Sequence, residues 1–183
     1  MTRDIVIDEP FEGEGALCEP WGNSFANSGT TLIQAGGELE IIPRISGAGG
    51  CSTRAMFEFP RGGLIVEVPE VMRTSGAYTA ITVGNDDSIQ MTSEQLAYRT
   101  ANGSITYSQI PYRPTQMRWW KLHDEQGVLT ASYSETGLQW VVFGERPAPG
   151  PFSVQLSFFA GVFLDVPDAT DSSRIGRLLV CDE

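Results

Sequence analysis

Histidine is nearly missing from this chain: His123 alone serves 183 residues. Basic residues are scarce too, 12 lysines and arginines against 23 aspartates and glutamates. The three cysteines, Cys18, Cys51 and Cys181, form no C-x-x-C pair, so no zinc-site spacing is present. His123 stands among Lys121, Asp124 and Glu125 and reads as an exposed residue on a strand rim rather than a catalytic base. No Gly-x-Ser-x-Gly elbow occurs, nor a glycine loop ending in Lys-Ser/Thr, so nucleophilic acyl transfer and phosphate cradling have no motif to start from. No run of about 18 apolar residues exists, which excludes a helical membrane span. The opening Met1-Thr2-Arg3-Asp4 has no apolar core and is not a signal peptide, leaving an intracellular protein or a chain without its leader.

The formal charge of −11 repels phosphate backbones and anionic headgroups, so nucleic acid and acidic membranes are not expected partners. It suits cations or neutral polar ligands such as glycans, and equally suits plain solubility. At 183 residues the length fits one domain, residues 1–183, with a core large enough to need no metal.

Helical periodicity is almost absent, whereas strand signals recur every eight to twelve residues or so. Strands are expected at Asp4–Asp8, Thr30–Gln34, Glu38–Pro43, Ser52–Phe59, Gly63–Val68, Ala77–Val83 and Ser88–Thr92. Further strands are expected at Gln95–Thr100, Ser104–Ile110, Thr115–His123, Val128–Ser134, Leu138–Gly144, Phe152–Ala160 and Arg174–Val180. Asn102-Gly103 is the sharpest hairpin signal, because both residues tolerate positive φ. The 20 glycines and 11 prolines are spread along the chain, as many turns require. The pattern predicts an all-β fold, an antiparallel β-sandwich or barrel, with the first and last strands paired antiparallel. Alternation along Thr115–His123 puts Trp120 and Leu122 in the core and Trp119, Lys121 and His123 on a wetter face. Phe158, Phe159 and Phe163 read as core.

Cys18 and Cys51 both lie in early Gly/Pro-rich connections and are the favoured disulfide. Cys181 is an alternative partner for Cys18, and three reduced thiols are the other reading. A disulfide implies an extracellular or cell-surface location, while reduced thiols leave the cytoplasm open.

The stretch Arg118-Trp119-Trp120-Lys121-Leu122-His123, followed by Val128–Ser134 and Gly137-Leu138-Gln139-Trp140, resembles a hairpin of the concanavalin A-like lectin/glucanase superfamily. Asp8-Glu9-Pro10-Phe11-Glu12-Gly13, Pro20-Trp21 and Gly36–Ile41 are similar to the opening of laminin-G-like modules. Gly49–Ser52 and Tyr112-Arg113-Pro114 are similar to such modules in bacterial surface proteins. The resemblance implies a concanavalin A-like jelly roll and leaves function open, since that fold hosts glycan binders, adhesion modules and glycosidases.

Glucanases of that superfamily carry Glu-x-Asp-x-x-Glu on one strand, which this chain lacks; Glu67 and Glu70 are interrupted by Pro69. The expectation is therefore a non-enzymatic binding module recognising carbohydrate, through an aromatic platform with polar flanks: Tyr98, Arg99, Tyr107, Gln109, Trp119 and Lys121. The alternative is a structural or adhesion module that contacts a surface protein and has no small ligand. No cofactor is expected. Calcium is the one metal with candidate oxygen ligands, at Asn85-Asp86-Asp87 and at Asp165, Asp168 and Asp171, although neither group matches an established loop.

Overall fold

In the computed structural model, residues 4–13, 17–19, 22–27, 29–44, 46–59, 63–84, 87–92, 94–100, 105–148, 152–163 and 171–182 are described. Among them the backbone forms strands and turns, with no helix. Two antiparallel sheets make the body. The six-stranded sheet runs β1 (Asp4–Glu9), β18 (Arg177–Asp182), β7 (Gly63–Glu67), β12 (Trp119–Asp124), β13 (Val128–Ser134) and β14 (Val141–Pro147). The seven-stranded sheet runs β11 (Ile105–Pro111), β10 (Gln95–Thr100), β9 (Asp87–Thr92), β8 (Ala77–Val83), β16 (Leu156–Val162), β5 (Ala48–Thr53) and β2 (Gly22–Ala26). Two small sheets complete it. One pairs β15 (Phe152–Val154) with β6 (Phe57–Phe59). The other orders β17 (Ser173–Ile175), β4 (Glu38–Ile42) and β3 (Thr31–Ala35).

The inward positions follow the period of two. Leu64 and Val66 of β7, Trp120 and Leu122 of β12, and Ile81, Ile89, Leu96 and Phe158 of the facing sheet are all buried. Trp120 fills the gap between the layers and donates its indole N–H to the Met117 carbonyl at 2.8 Å, so the ring is buried without orphaning its polar atom. Tyr112 meets its edge at 6.4 Å, and Phe11 meets Phe158 edge-on at 5.8 Å. The first and last strands pair antiparallel, Asp4 opposite Asp182 and Glu9 opposite Leu178.

Several strand bounds differ from the sequence expectation, each for a local reason. The expected Thr115–His123 begins only at Trp119, because the amides of Gln116 and Met117 both turn back to the Arg113 carbonyl. Ser52–Phe59 is two strands, β5 and β6, in different sheets. Phe152–Ala160 likewise divides into β15 and β16. Gly22–Ala26 and Ala48–Thr53, rich in small and polar residues, carry little β-propensity, yet both are strands of the larger sheet. Gly50 shows why glycine is there: a Cβ would lie 2.7 Å from the Phe159 Cα, too close for any side chain. The Asn102-Gly103 turn lies outside the described residues. His123 is not an exposed rim residue: it is 8% exposed, with Nδ1 2.7 Å from the Thr130 hydroxyl.

Candidate functional site

The outer face of the seven-stranded sheet carries a recess of about 610 Å³. Strand register builds it row by row. Arg99, Ser88, Thr82, Ser157, Ser52 and Asn23 lie opposite one another in sequence from β10 to β2, a stripe of hydrogen-bonding side chains at right angles to the strands. The next row is Ala97, Gln90, Ala80, Phe159, Gly50 and Phe25. Its small members lower the floor. A third row places Tyr78 opposite Gly161, where a Cβ would meet the tyrosine hydroxyl at 2.5 Å.

Aromatic rings stand at the β16–β2 end. Phe25 and Phe159 have centroids 6.4 Å apart; Tyr78 packs edge-on to Phe159 at 5.7 Å and against Phe163 at 4.4 Å. Phe163 is 56% exposed and Phe25 40%. These rings present apolar faces to solvent beside hydroxyl and amide groups, the combination that suits a molecule with one apolar and one polar surface. Burial raises the Tyr78 phenol above its ordinary value, so it stays a neutral donor.

Arg99 closes the other end. It makes no ion pair among the described residues, and its Nε is buried with no hydrogen-bond partner there. Asp87, which also borders the recess, is committed elsewhere. Its carboxylate is 1% exposed, accepts the Tyr98 hydroxyl at 2.6 Å, and takes Arg146 through Nε at 2.8 Å and a second nitrogen at 2.5 Å. Because Arg146 belongs to β14, this cluster pins the two sheets together. Burial, then the Asp87 carboxylate, drives the Tyr98 phenol upward; the hydrogen bond to Asp87 raises Arg146 further.

The residues expected to form one platform are divided. Tyr98 is not a surface residue at all: it is 0% exposed and faces the core beside Leu96, with its hydroxyl on Asp87. Neighbours in a strand face opposite ways, so Tyr98 and Arg99 cannot share a surface. Arg99 lines the recess. Gln109 sits opposite Ala97 at the edge strand of the same sheet, and Tyr107 stacks on Tyr98 at a bulge, centroids 5.7 Å apart. Trp119 and Lys121 are on β12, in the other sheet, where Lys121 Nζ lies 4.6 Å over the Trp140 ring. The sequence reading missed Phe25, Phe159 and Phe163. Phe158 is core, Phe159 points outward and Phe163 is exposed. Strict alternation was the available signal, since adjacent Phe158 and Phe159 cannot both face inward.

Cys18 and Cys51 form a disulfide, with Cα atoms 6.0 Å apart, and Cys181 is a buried thiol. Of the calcium candidates, Asp87 is held as above. Asp171 accepts the amides of Arg73 and Thr74 at 2.6 and 2.9 Å and the Thr74 hydroxyl. Asn85, Asp86, Asp165 and Asp168 lie outside the described residues. Among the described residues no three acidic, histidine or cysteine side chains cluster as a metal site.

No protein-family model matches the chain, and no curated protein matches it. Solved structures do. The VIP36 exoplasmic/lumenal domain in its Ca2+-bound form superposes with a TM-score of 0.66 at 12% identity, over 96% of this chain and 88% of that one. Bacillus licheniformis β-glucanase gives 0.65 at 7% identity, over 97% of each chain. LamAcat from Zobellia galactanivorans gives 0.66 at 12% identity, again over 97% of each. The fold is a concanavalin A-like jelly roll, an all-β antiparallel sandwich. The expectation of a non-enzymatic module is corrected by the same finding. A β-glucanase has this architecture across its whole length, so the sandwich carries no argument against hydrolysis.

Proposed function

We propose that this chain recognises carbohydrate in the recess on the outer face of the seven-stranded sheet. One observation carries the reading: outward aromatic rings of Phe25, Phe159 and Phe163 stand beside the polar stripe of Ser88, Thr82 and Ser157, with Gln90 one row over, in a single recess. Pyranose rings have an apolar C–H face and a hydroxyl rim, and these two surfaces match them. Among the fold neighbours, VIP36 is also described bound to Ca2+ with Man3GlcNAc and with mannose, which supports a glycan partner. Of the platform residues expected from sequence, Arg99 and Gln109 belong to this face. The Cys18–Cys51 disulfide and the lumenal or exoplasmic setting of VIP36 support an oxidising, extracytoplasmic location.

The test is a glycan array, with and without calcium, followed by calorimetry on the best binder. Phe25→Ala and Phe163→Ala are each expected to weaken binding about fivefold to thirtyfold, the loss of one ring's contact. Trp119→Ala, on the other sheet, is expected to leave it unchanged. Reducing-end release is followed in the same mixtures, since an enzyme shares the fold. Binding that ignores both phenylalanine changes but disappears with Trp119→Ala would move the site to the six-stranded sheet and end this assignment.

A further inference from the structure

The geometry points to an acidic oligosaccharide as the ligand of this recess, with a sugar carboxylate on Arg99 and a following ring on the aromatic end. The inference rests on the carbohydrate reading above and adds the chemical class and direction of the ligand. Three features of the recess lead to it.

The first is the state of Arg99. Of the basic side chains near the recess, Arg146 is already committed to Asp87, whereas Arg99 has no ion-pair partner among the described residues and a buried Nε without an acceptor. A guanidinium that lines one end of the recess and has no ion-pair partner among the described residues is poised for an anion that brings its own acceptor. A carboxylate fits best, because its two oxygens match the planar fork bidentately.

The second is the chemistry around it. Ser88 and Thr82 continue the row from Arg99, and Gln90 stands one row over. Hydroxyls and an amide can donate and accept, so they suit sugar hydroxyls next to the carboxylate. Among the described lining residues the carboxylate is Asp87, which is paired with Arg146 and does not compete for the cation.

The third is length. Arg99 on β10 and Phe159 on β16 are separated by three strand spacings, about 14 Å, which exceeds one pyranose ring. A ligand with its carboxylate on Arg99 and a ring laid against the aromatic end runs across the strands, so an oligomer fits, its acidic unit at β10 and a following ring toward β16. The chain's charge of −11 repels a polyanion at a distance. At about 0.15 M salt that repulsion is screened beyond roughly 8 Å, while the contact pair persists.

The experiment titrates the whole chain by calorimetry at that salt with uronic-acid oligomers of several linkages, each beside its methyl-esterified form. Arg99→Gln, Arg99→Lys and the exposed control Arg113→Gln are compared, with melting temperatures for all three. Tighter binding of an acidic oligomer than of its ester, lost about tenfold or more in Arg99→Gln and partly retained in Arg99→Lys, supports the inference. Arg113→Gln is expected to bind as the parent does, and Arg99→Gln to melt no lower. Equal binding of acid and ester, or indifference to Arg99→Gln, overturns the acidic assignment and leaves carbohydrate recognition standing. Binding of neutral glycans alone does the same. No binding of any oligomer, acidic or neutral, overturns both readings.

Discussion

At the scale of single residues, Asp87 matters most to the architecture. Its two oxygens bridge Tyr98 of one sheet and Arg146 of the other in a place with little water. Removing only the acid leaves Arg146 with nothing to neutralise it between the layers. Asp87→Ala is therefore expected to cost about 3–5 kcal/mol in urea denaturation, while the paired change Asp87→Leu/Arg146→Met costs far less. A single variant within 1 kcal/mol of the parent, in any reasonable error, would show that the bridge is ornamental. The same residues mark a limit of sequence reading. Tyr98 was legible as an aromatic in a strand, and alternation with Leu96 was enough to turn it inward. Its partner Arg146 is 59 positions from Asp87, and no local pattern announces a pairing across that separation.

Among elements, the connection between β7 and β8 is fastened to the lead-in of β17 by Asp171, which takes the Arg73 and Thr74 amides and the Thr74 hydroxyl. Burial works to raise this carboxyl, but those hydrogen bonds outweigh it, and the group sits below its ordinary value of 3.8. A lowered native value means the latch stabilises the fold fully above the ordinary value and loses that contribution as pH falls through the native one. Urea midpoints measured from about pH 6 down to about pH 2 should show Asp171→Asn weaker than the parent at the top of the range, with the gap closing below 3.8. A constant gap throughout would show the charge to be irrelevant. Elements were unequally legible. Strands rich in branched and aromatic residues, such as Ala77–Val83 and Val128–Ser134, announce themselves and keep their expected bounds. Ala48–Thr53 does not: Gly50 is dictated by the close approach of Phe159 and Gly49 by that of Thr30 and Leu32, tertiary facts that composition hides. That hidden strand is part of the recess floor, so the site was obscured with it.

For the molecule as a whole, the covalent link Cys18–Cys51 closes a loop of 33 positions and holds β5 to the segment leading into β2. Constraining the unfolded chain over that span contributes about 4 kcal/mol. The double change Cys18→Ser/Cys51→Ser should lower the denaturation free energy by that amount, and a reductant should do the same to the parent. No change in either case would mean the link adds nothing to stability. The two-layer architecture and the core position of Trp120 could be read from alternation, because burial on one face of each strand imposes it. Which sheet a strand joins could not, since partners are chosen over long separations. That is why Trp119, Lys121 and Arg99, plausible companions in sequence, ended on opposite sides of the molecule.

The antiparallel union of β1 with β18 has a practical corollary. Asp4 faces Asp182 on neighbouring strands of the six-stranded sheet, about 5 Å apart, and the recess opens on the other sheet. A host loop that enters through one end and leaves through the other need bridge only that gap. Spliced in this way, the sandwich becomes a cassette that displays its recessed face away from the graft point.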